Sequence, residues 1–304
     1  MKKKIHSLYK KYIPKMLQKK ISLIRNKGGY STLRKSILDY YKLIPDSEIN
    51  RETKEVLKYL NFNPIATFPY HFVEKYHKLQ INVFEDPVSK LKYVHHHNNC
   101  LYFKRSLSVE SIKKMYRELL IEQDIDSPHC YLNKDFIVNN GDVVVDCGAA
   151  EGIFALSIID ISKKVYIIES DPEWIEALNL TFFKWKDKVC IENKFISNTD
   201  TLTSITLDTY FSEEKISFLK IDVDGSEYDL VQGAKKIFNK SDILKIALCT
   251  YHKLDDYTYF YKLFRELKYE CFPSYGYMFF LNDSKQYPPY LRRGIMRIKK
   301  SILS

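Results

Sequence analysis

Charged residues interrupt an otherwise apolar run in FLKIDVDGSEYDLVQGA, residues 218–234, where Lys220, Asp222 and Asp224 alternate with Leu, Ile and Val and Glu227 follows three residues on. Alternate positions share one side of a strand, so the three point the same way, but only Asp222 and Asp224 lie at its carboxyl end, beside the turn at Gly225. His252 follows the next apolar run, in DILKIALCTYH. A carboxylate and an imidazole at the ends of adjacent strands can take a proton between them, with Asp222 or His252 as acceptor and the other orienting it. Glu227 either joins them or satisfies the N-terminus of the helix it opens. Asp222, Asp224 and Glu227 could also hold Mg²⁺, though nothing in the sequence requires a metal. The triple His95, His96, His97 reads as a surface run, since three successive strand residues cannot face one ion, and His129 in SPHCY reads as a hydrogen-bonded structural histidine.

A second set lies in VVVDCGAAEGIFAL, residues 143–156. Asp146 can accept the hydrogen bonds that hold a turn, Gly148 permits close backbone approach, and Gly152 opens the following helix. A dinucleotide-binding loop would need glycine at 148, 150 and 153 to seat a pyrophosphate, and the residues there are Gly, Ala and Ile. The spacing DxGxxxG suits S-adenosylmethionine, which has no phosphate. Glu169 ends the next apolar run, 17 residues after Gly152, where a carboxylate can take both hydroxyls of a ribose. That device serves NAD equally well.

The elements that would position these residues are regular after Gly141. Apolar runs at 142–147, 165–169, 189–196, 216–223 and 243–249 alternate with helical patterns at 152–161, 172–184, 226–238 and 255–267. This spacing predicts a mostly parallel sheet covered on both faces. YECFPSYGYMFFLN then reads as two strands around Ser274 to Gly276. An α/β, Rossmann-like sheet closed by an antiparallel terminal hairpin is the class I methyltransferase arrangement, with ligands beyond the carboxyl ends of the strands. The expected domains are a basic helical arm at 1–60, an accessory or cap region at 61–118, the main domain at 119–293 and a basic tail at 294–304. Gly28 and Gly29 are expected to end the first helix of the arm.

The stretch at 218–234 resembles the KIDVEGxE…GA signature of the FkbM-type S-adenosylmethionine-dependent methyltransferases, with Asp224 where Glu is common and Ser226 where Ala is common. VVVDCGAAEGIF is similar to that family's cofactor loop, ITLDTYF to its segment before strand 4, and ALCTYHKLDD to its segment after strand 5. EQDIDSPHCY and PPYLRRGIMR extend the likeness over roughly 120–293. The resemblance implies O-methylation of a hydroxyl on a carbohydrate, such as a surface polysaccharide or glycolipid, or on a secondary metabolite. It also implies that Asp146, Gly148, Glu151 and Gly152 surround the methionine part of the cofactor, that Glu169 holds the ribose and that Ser197 meets the adenine. Asp222 would lie beside the methyl donor. The alternative is a module that binds S-adenosylmethionine or a nucleotide without catalysis.

Charge distribution narrows the partners. The chain carries 48 Lys and Arg against 38 Asp and Glu, yet residues 1–42 hold 13 of the basic residues and one acid, Asp39, leaving 35 basic against 37 acidic residues elsewhere. The body is therefore slightly acidic, which disfavours a nucleic-acid substrate. The arm places Ile5, Leu8, Tyr9, Tyr12, Ile13, Met16, Leu17, Ile21 and Ile24 at helical spacing among lysines, a pattern that either packs on the protein or lies on an anionic membrane. The six cysteines form no CxxC pair and no 18-residue apolar run exists, so the expectation is a cytoplasmic protein, peripheral at the inner membrane face if the arm and tail bind lipid.

Overall fold

The computed structural model describes residues 15–240, 243–281 and 286–300. Most of the first stripe of the arm, residues 5–13, lies outside these. The chain divides into two compact units, one from the described parts of 1–71 with 279–291, the other from 72–278 with the described part of 292–304. This division differs from the expected one, because the accessory region belongs from residue 72 onward to the larger unit and 279–291 belongs to the smaller.

In the smaller unit, helix α1 (Lys15–Lys42) runs through Gly28 and Gly29 instead of ending there. A helical glycine costs about 1 kcal/mol relative to alanine, too little to stop a helix whose neighbours favour it. Helix α2 (Arg51–Phe62) is capped by Asn50, whose side chain accepts from Thr53 N at 2.8 Å. Arg34 of α1 donates to the carbonyls of Leu60 and Asn61 at 2.5 and 2.8 Å, with Ile37, Val56 and Leu60 fully buried.

The larger unit is built on seven strands: β1 (Val143–Cys147), β2 (Lys164–Glu169), β3 (Val189–Asn193), β4 (Phe218–Ile221), β5 (Lys245–Cys249), β6 (Tyr269–Pro273) and β7 (Ile295–Lys300). Their order is β6-β7-β5-β4-β1-β2-β3. β1 to β5 pair in parallel, and β7 runs antiparallel to both β5 and β6. The central strands are buried on both faces, which is why their sequences read as continuous apolar runs rather than alternating ones. Helices α3 (Val109–Glu122), α4 (Ile153–Ile158), α5 (Pro172–Thr181), α6 (Glu227–Gln232), α7 (Lys235–Lys240) and α8 (Asp256–Glu266) belong to the same unit, with a small antiparallel sheet of 84–85, 92–96 and 99–102 before α3. Among the described residues no helix is long and apolar enough to cross a membrane.

The terminal hairpin is present but its second strand is not the expected one. It is Ile295–Lys300, from the segment read as a basic tail, and not the stretch after Gly276. Ile295, Met296 and Ile298 are buried in the sheet, and the buried Arg297 gives its guanidinium to the carbonyls of Tyr131 and Cys130 at 3.1 and 2.7 Å. The histidine run is also only partly on the surface. His96 is buried, with Nδ1 3.0 Å from Tyr116 Oη and Nε2 3.3 Å from Ser157 Oγ.

Candidate active site

The carboxyl ends of β1, β2 and β4 open into a cavity of about 800 Å³. Its floor is the turn after β1 and the turn after β4, which touch. A Cβ on Gly148, at φ +71°, would lie 1.9 Å from the Asp222 carbonyl oxygen, so no other residue fits there without moving one loop. Glu169 ties the first turn to β2, its carboxylate accepting from Ala150 N at 2.9 Å and Asp171 N at 2.8 Å. Each oxygen keeps a further acceptor site, as a ribose diol requires. The roof is α3 and the segment before it, with Leu107, Met115, Leu119 and Glu122 on the cavity. That segment is clamped to α5 by Lys104 on Asp171 and Arg105 Nη2 on Glu176 at 2.5 Å.

Lys220 and Asp146 are partners in the β4–β1 register and nearly or wholly buried; Lys220 Nζ lies 3.0 Å from Asp146 Oδ1 and donates to the Gly148 carbonyl at 2.7 Å. Burial disfavours the ammonium, but Asp146 and Asp222 together hold its pKa above the usual lysine value. Asp222 is the centre of the site. Tyr131 donates to its Oδ2 at 2.7 Å and Tyr251 to its Oδ1 at 3.2 Å. Burial alone would raise its pKa, yet Lys220, His129, His252 and the Tyr131 hydroxyl bring it down to about 2.

His129 and His252 approach this carboxylate in different charge states, one neutral and one cationic. His129 Nε2 is 3.8 Å from Asp222 Oδ2 and 3.1 Å from the Tyr251 hydroxyl. Burial drives its pKa down to about 4 against the pull of Asp222, so it is neutral at pH 7. Because Tyr251 donates to Asp222, the hydrogen-bond pattern assigns the imidazole proton to Nε2. His252 is buried too, but Asp224, Glu227 and Asp222 overcome that cost and push it up to about 10. Its Nδ1 is 2.9 Å from Glu227 Oε1 and its Nε2 is 3.7 Å from both Asp222 Oδ1 and Asp224 Oδ1.

Of the residues expected at the site, Gly148, Glu151, Glu169 and Asp222 line the cavity; Asp146, Gly152, Ser197, Glu227 and His252 stand behind its wall. Asp146 is fully buried against Lys220. Gly152, at φ +83°, starts α4 where a Cβ would meet Leu178 and Phe182 at 2.7 and 2.9 Å, a packing requirement. The Ser197 carbonyl packs on Gly233, and the wall near it is made by Lys194, Phe195 and Ile196. Glu227 turns inward, its Oε1 accepting from Val223 N and Gly225 N at 3.1 and 3.2 Å as well as facing His252. Asp224 points to solvent. The three acids therefore do not converge on an open position for Mg²⁺. His252, Asp222 and Glu227 do come within 4.8 Å of one another; with the imidazole protonated they form an ion-pair network, and a metal ion there would have to displace that proton.

Glu122, Tyr131 and Tyr251 line the cavity without having been singled out from the sequence, and His129 does so despite its structural reading. The i, i+2 spacing in SPHCY and the tyrosine beside His252 were the available signals. Two carboxyls, Glu151 buried and Glu122 half-buried in the cavity wall, complete the electrostatics: desolvation raises Glu151 to about 7, and desolvation with Asp222, Glu151 and Glu118 nearby raises Glu122 to about 8.

A sheet in this strand order, with its antiparallel β7 and its cavity over β1, β2 and β4, is the class I methyltransferase fold. Residues 185–278 match the model of the methyltransferase FkbM domain. Solved structures similar to this one include methyltransferase FkbM from Methylobacillus flagellatus KT, at 17% identity over 55% of this chain and 46% of that one, TM-score 0.45. A putative transferase from Pyrococcus horikoshii matches at 19% identity over 73% and 72% of the two chains, TM-score 0.39. TrmK of M. capricolum, in complex with S-adenosyl-homocysteine, matches at 13% identity over 54% and 65%, TM-score 0.36. The match thus spans less than half the length of the Methylobacillus chain. No curated protein matches.

Proposed function

We propose that the protein transfers the methyl group of S-adenosylmethionine to a hydroxyl of a carbohydrate, in a surface polysaccharide or glycolipid, or of a secondary metabolite. The observation that carries this reading is the cavity itself: a donor-sized space floored by the Gly148–Glu151 turn, with a ribose-competent Glu169 at one end and an anchored Asp222 at the other. Glu169 would hold the ribose, Lys194–Ile196 would stand beside the base and the β1 and β4 turns would hold the methionine part. When bound, the cofactor supplies an electrophilic methyl carbon. The chain's own part is to align the acceptor oxygen with it and exclude water, work done here by the roof residues Leu107, Met115 and Leu119.

The acceptor side carries Glu118, Glu122, Glu151, Asp222 and Asp224. Carboxyl groups, ionised or protonated, hydrogen-bond hydroxyls and give no counter-charge to phosphate, so this lining supports a polyhydroxylated acceptor such as a glycan over nucleic acid. His252 is unsuited to take the acceptor's proton because it already holds one, and Asp222, with a pKa near 2 and both oxygens engaged, is a weak base. Asp222 instead offers fixed negative charge to the sulfonium end, and His252 with Glu227 fixes the turn that presents it.

Calorimetry with S-adenosylmethionine, S-adenosylhomocysteine and NAD tests the donor: binding of NAD alone would remove the reading. Mass spectrometry of host glycans, with and without the protein, tests the acceptor through the mass increment of one methyl group. Donor binding with no methylated product would favour the non-catalytic alternative. For the arm, flotation with anionic liposomes should carry the full chain upward and leave a chain lacking residues 1–42 in solution; both staying soluble would sink a membrane role.

A further inference from the structure

Glu122 is the last residue of α3, and its carboxyl enters the cavity from the roof, where the floor presents Asp222 and Lys220 from β4 and Glu151 from the turn after β1. Glu118 lies on its own helix and Tyr251 reaches the same region from the end of β5. Among the described residues no hydrogen bond or ion pair holds the Glu122 carboxylate. Its position at a helix C-terminus adds to the disadvantage of ionising it, since the backbone dipole is negative there. Lys220, the cation below it, is already committed to Asp146 and the Gly148 carbonyl. The cavity therefore holds an uncompensated acid placed where the proposed donor would bring a positive sulfur.

We propose that Glu122 is the proton acceptor of methyl transfer and that the charge of the donor arms it: protonated over the empty cavity, it ionises when the sulfonium sits between Glu122, Glu151 and Asp222. This inference rests on the donor reading above. The step balances. The acceptor oxygen's lone pair forms the bond to the methyl carbon, the S–CH₃ pair returns to sulfur, and the acceptor's proton passes to Glu122. A cationic donor beside an anionic glutamate becomes a neutral thioether beside a neutral glutamic acid, so the cavity regains its resting charge as the product forms. The raised pKa of Glu122, about 8, is the value a base needs to be protonated at rest and readily ionised by a nearby cation.

Isothermal calorimetry of the full chain, in buffers of different ionisation enthalpy at pH 7, tests this with two known ligands. S-adenosylmethionine should release about one proton on binding and S-adenosylhomocysteine none. Below pH 8 the affinity for S-adenosylmethionine should fall about tenfold per pH unit while that for S-adenosylhomocysteine stays flat, because only the former must displace the proton. Glu122→Gln should remove the larger part of the proton release and of the slope yet keep S-adenosylhomocysteine binding, which also reports that the variant folds. Glu151→Gln should remove only the smaller part, since Glu151, raised to about 7, is about half protonated at pH 7. Equal proton counts for the two ligands, or release that Glu122→Gln does not reduce, would overturn the inference and leave the donor reading intact. Binding of neither ligand would overturn both.

Discussion

His129 and His252 reach the two oxygens of one carboxylate at nearly the same distance, 3.8 and 3.7 Å, and both are buried, yet one is neutral and the other charged. His129, on the segment before β1, meets the Tyr251 hydroxyl and a share of Asp222, and desolvation decides its state. The loop after β5 offers His252 Glu227 and Asp224 besides, and three carboxylates outweigh the same cost. Burial alone thus does not tell whether a histidine can accept a proton. The number of carboxylates within reach does.

Removing the shared carboxylate should have the largest effect. Asp222→Asn takes the counter-charge from Lys220 and His252 at once, and uncompensating a buried ion pair costs about 3–5 kcal/mol. Chemical denaturation at pH 7 measures it; a loss below about 1 kcal/mol would mean that Asp146 and Glu227 suffice and that the two histidines do not share Asp222 in any energetic sense.

Next, the two histidines should shape opposite limbs of the stability curve. For His252 the folded pKa of about 10 exceeds the unfolded 6.5, so its contribution is complete below pH 6.5 and is lost as pH rises toward 10. For His129 the folded value of about 4 lies below 6.5, so the unfolded chain gains a proton first and stability falls as pH drops from 6.5 toward 4. His252→Gln should flatten the alkaline limb by a few kcal/mol and His129→Gln the acid limb, read as unfolding free energy from pH 4 to 10. Variants that flatten the same limb would refute the assigned charges.

A smaller effect isolates the carboxylate count. Glu227→Gln keeps an oxygen to accept from Val223 N and Gly225 N but loses the charge facing His252, so the imidazole should titrate about 1–3 units lower. Nitrogen-15 NMR of the ring reads this directly, and an unchanged midpoint would assign the shift to Asp222 and Asp224 alone.

Which parts of this arrangement could be read in advance follows from how far apart its residues lie in the chain. The β4 turn was legible because Asp222, Gly225 and Glu227 are local and their types dictate a strand ending in a turn. The β1 turn was legible for the same reason. Charge counting misled at the C-terminus: Arg297 read as part of a basic tail, but it donates to the carbonyls of Tyr131 and Cys130, as Arg292 just before the tail does to those of Tyr251 and His252 at 2.6 and 2.8 Å. The two arginines hold the segments that carry the two histidines. A guanidinium that satisfies buried carbonyls looks, in sequence, like one that faces water. Glu122 was hidden likewise, since nothing local separates a cavity carboxylate from the other acids of an amphipathic helix.

The smallest change bears most closely on whether the two histidine environments are separate. Tyr251 Oη donates to Asp222 Oδ1 and accepts from His129 Nε2, while its ring lies against His252 with centroids 4.2 Å apart. Tyr251→Phe keeps the ring and removes only the hydroxyl, leaving Asp222 one donor short and costing His129 an acceptor, about 1–2 kcal/mol in unfolding free energy. If His252 owes its charge to Asp224 and Glu227 beyond its share of Asp222, its titration midpoint should stay in place while stability falls. Should that midpoint move with the loss of a hydroxyl it does not bond, Asp222 and its two tyrosines would govern both imidazoles, and the contrast between them would reduce to a single coupled network.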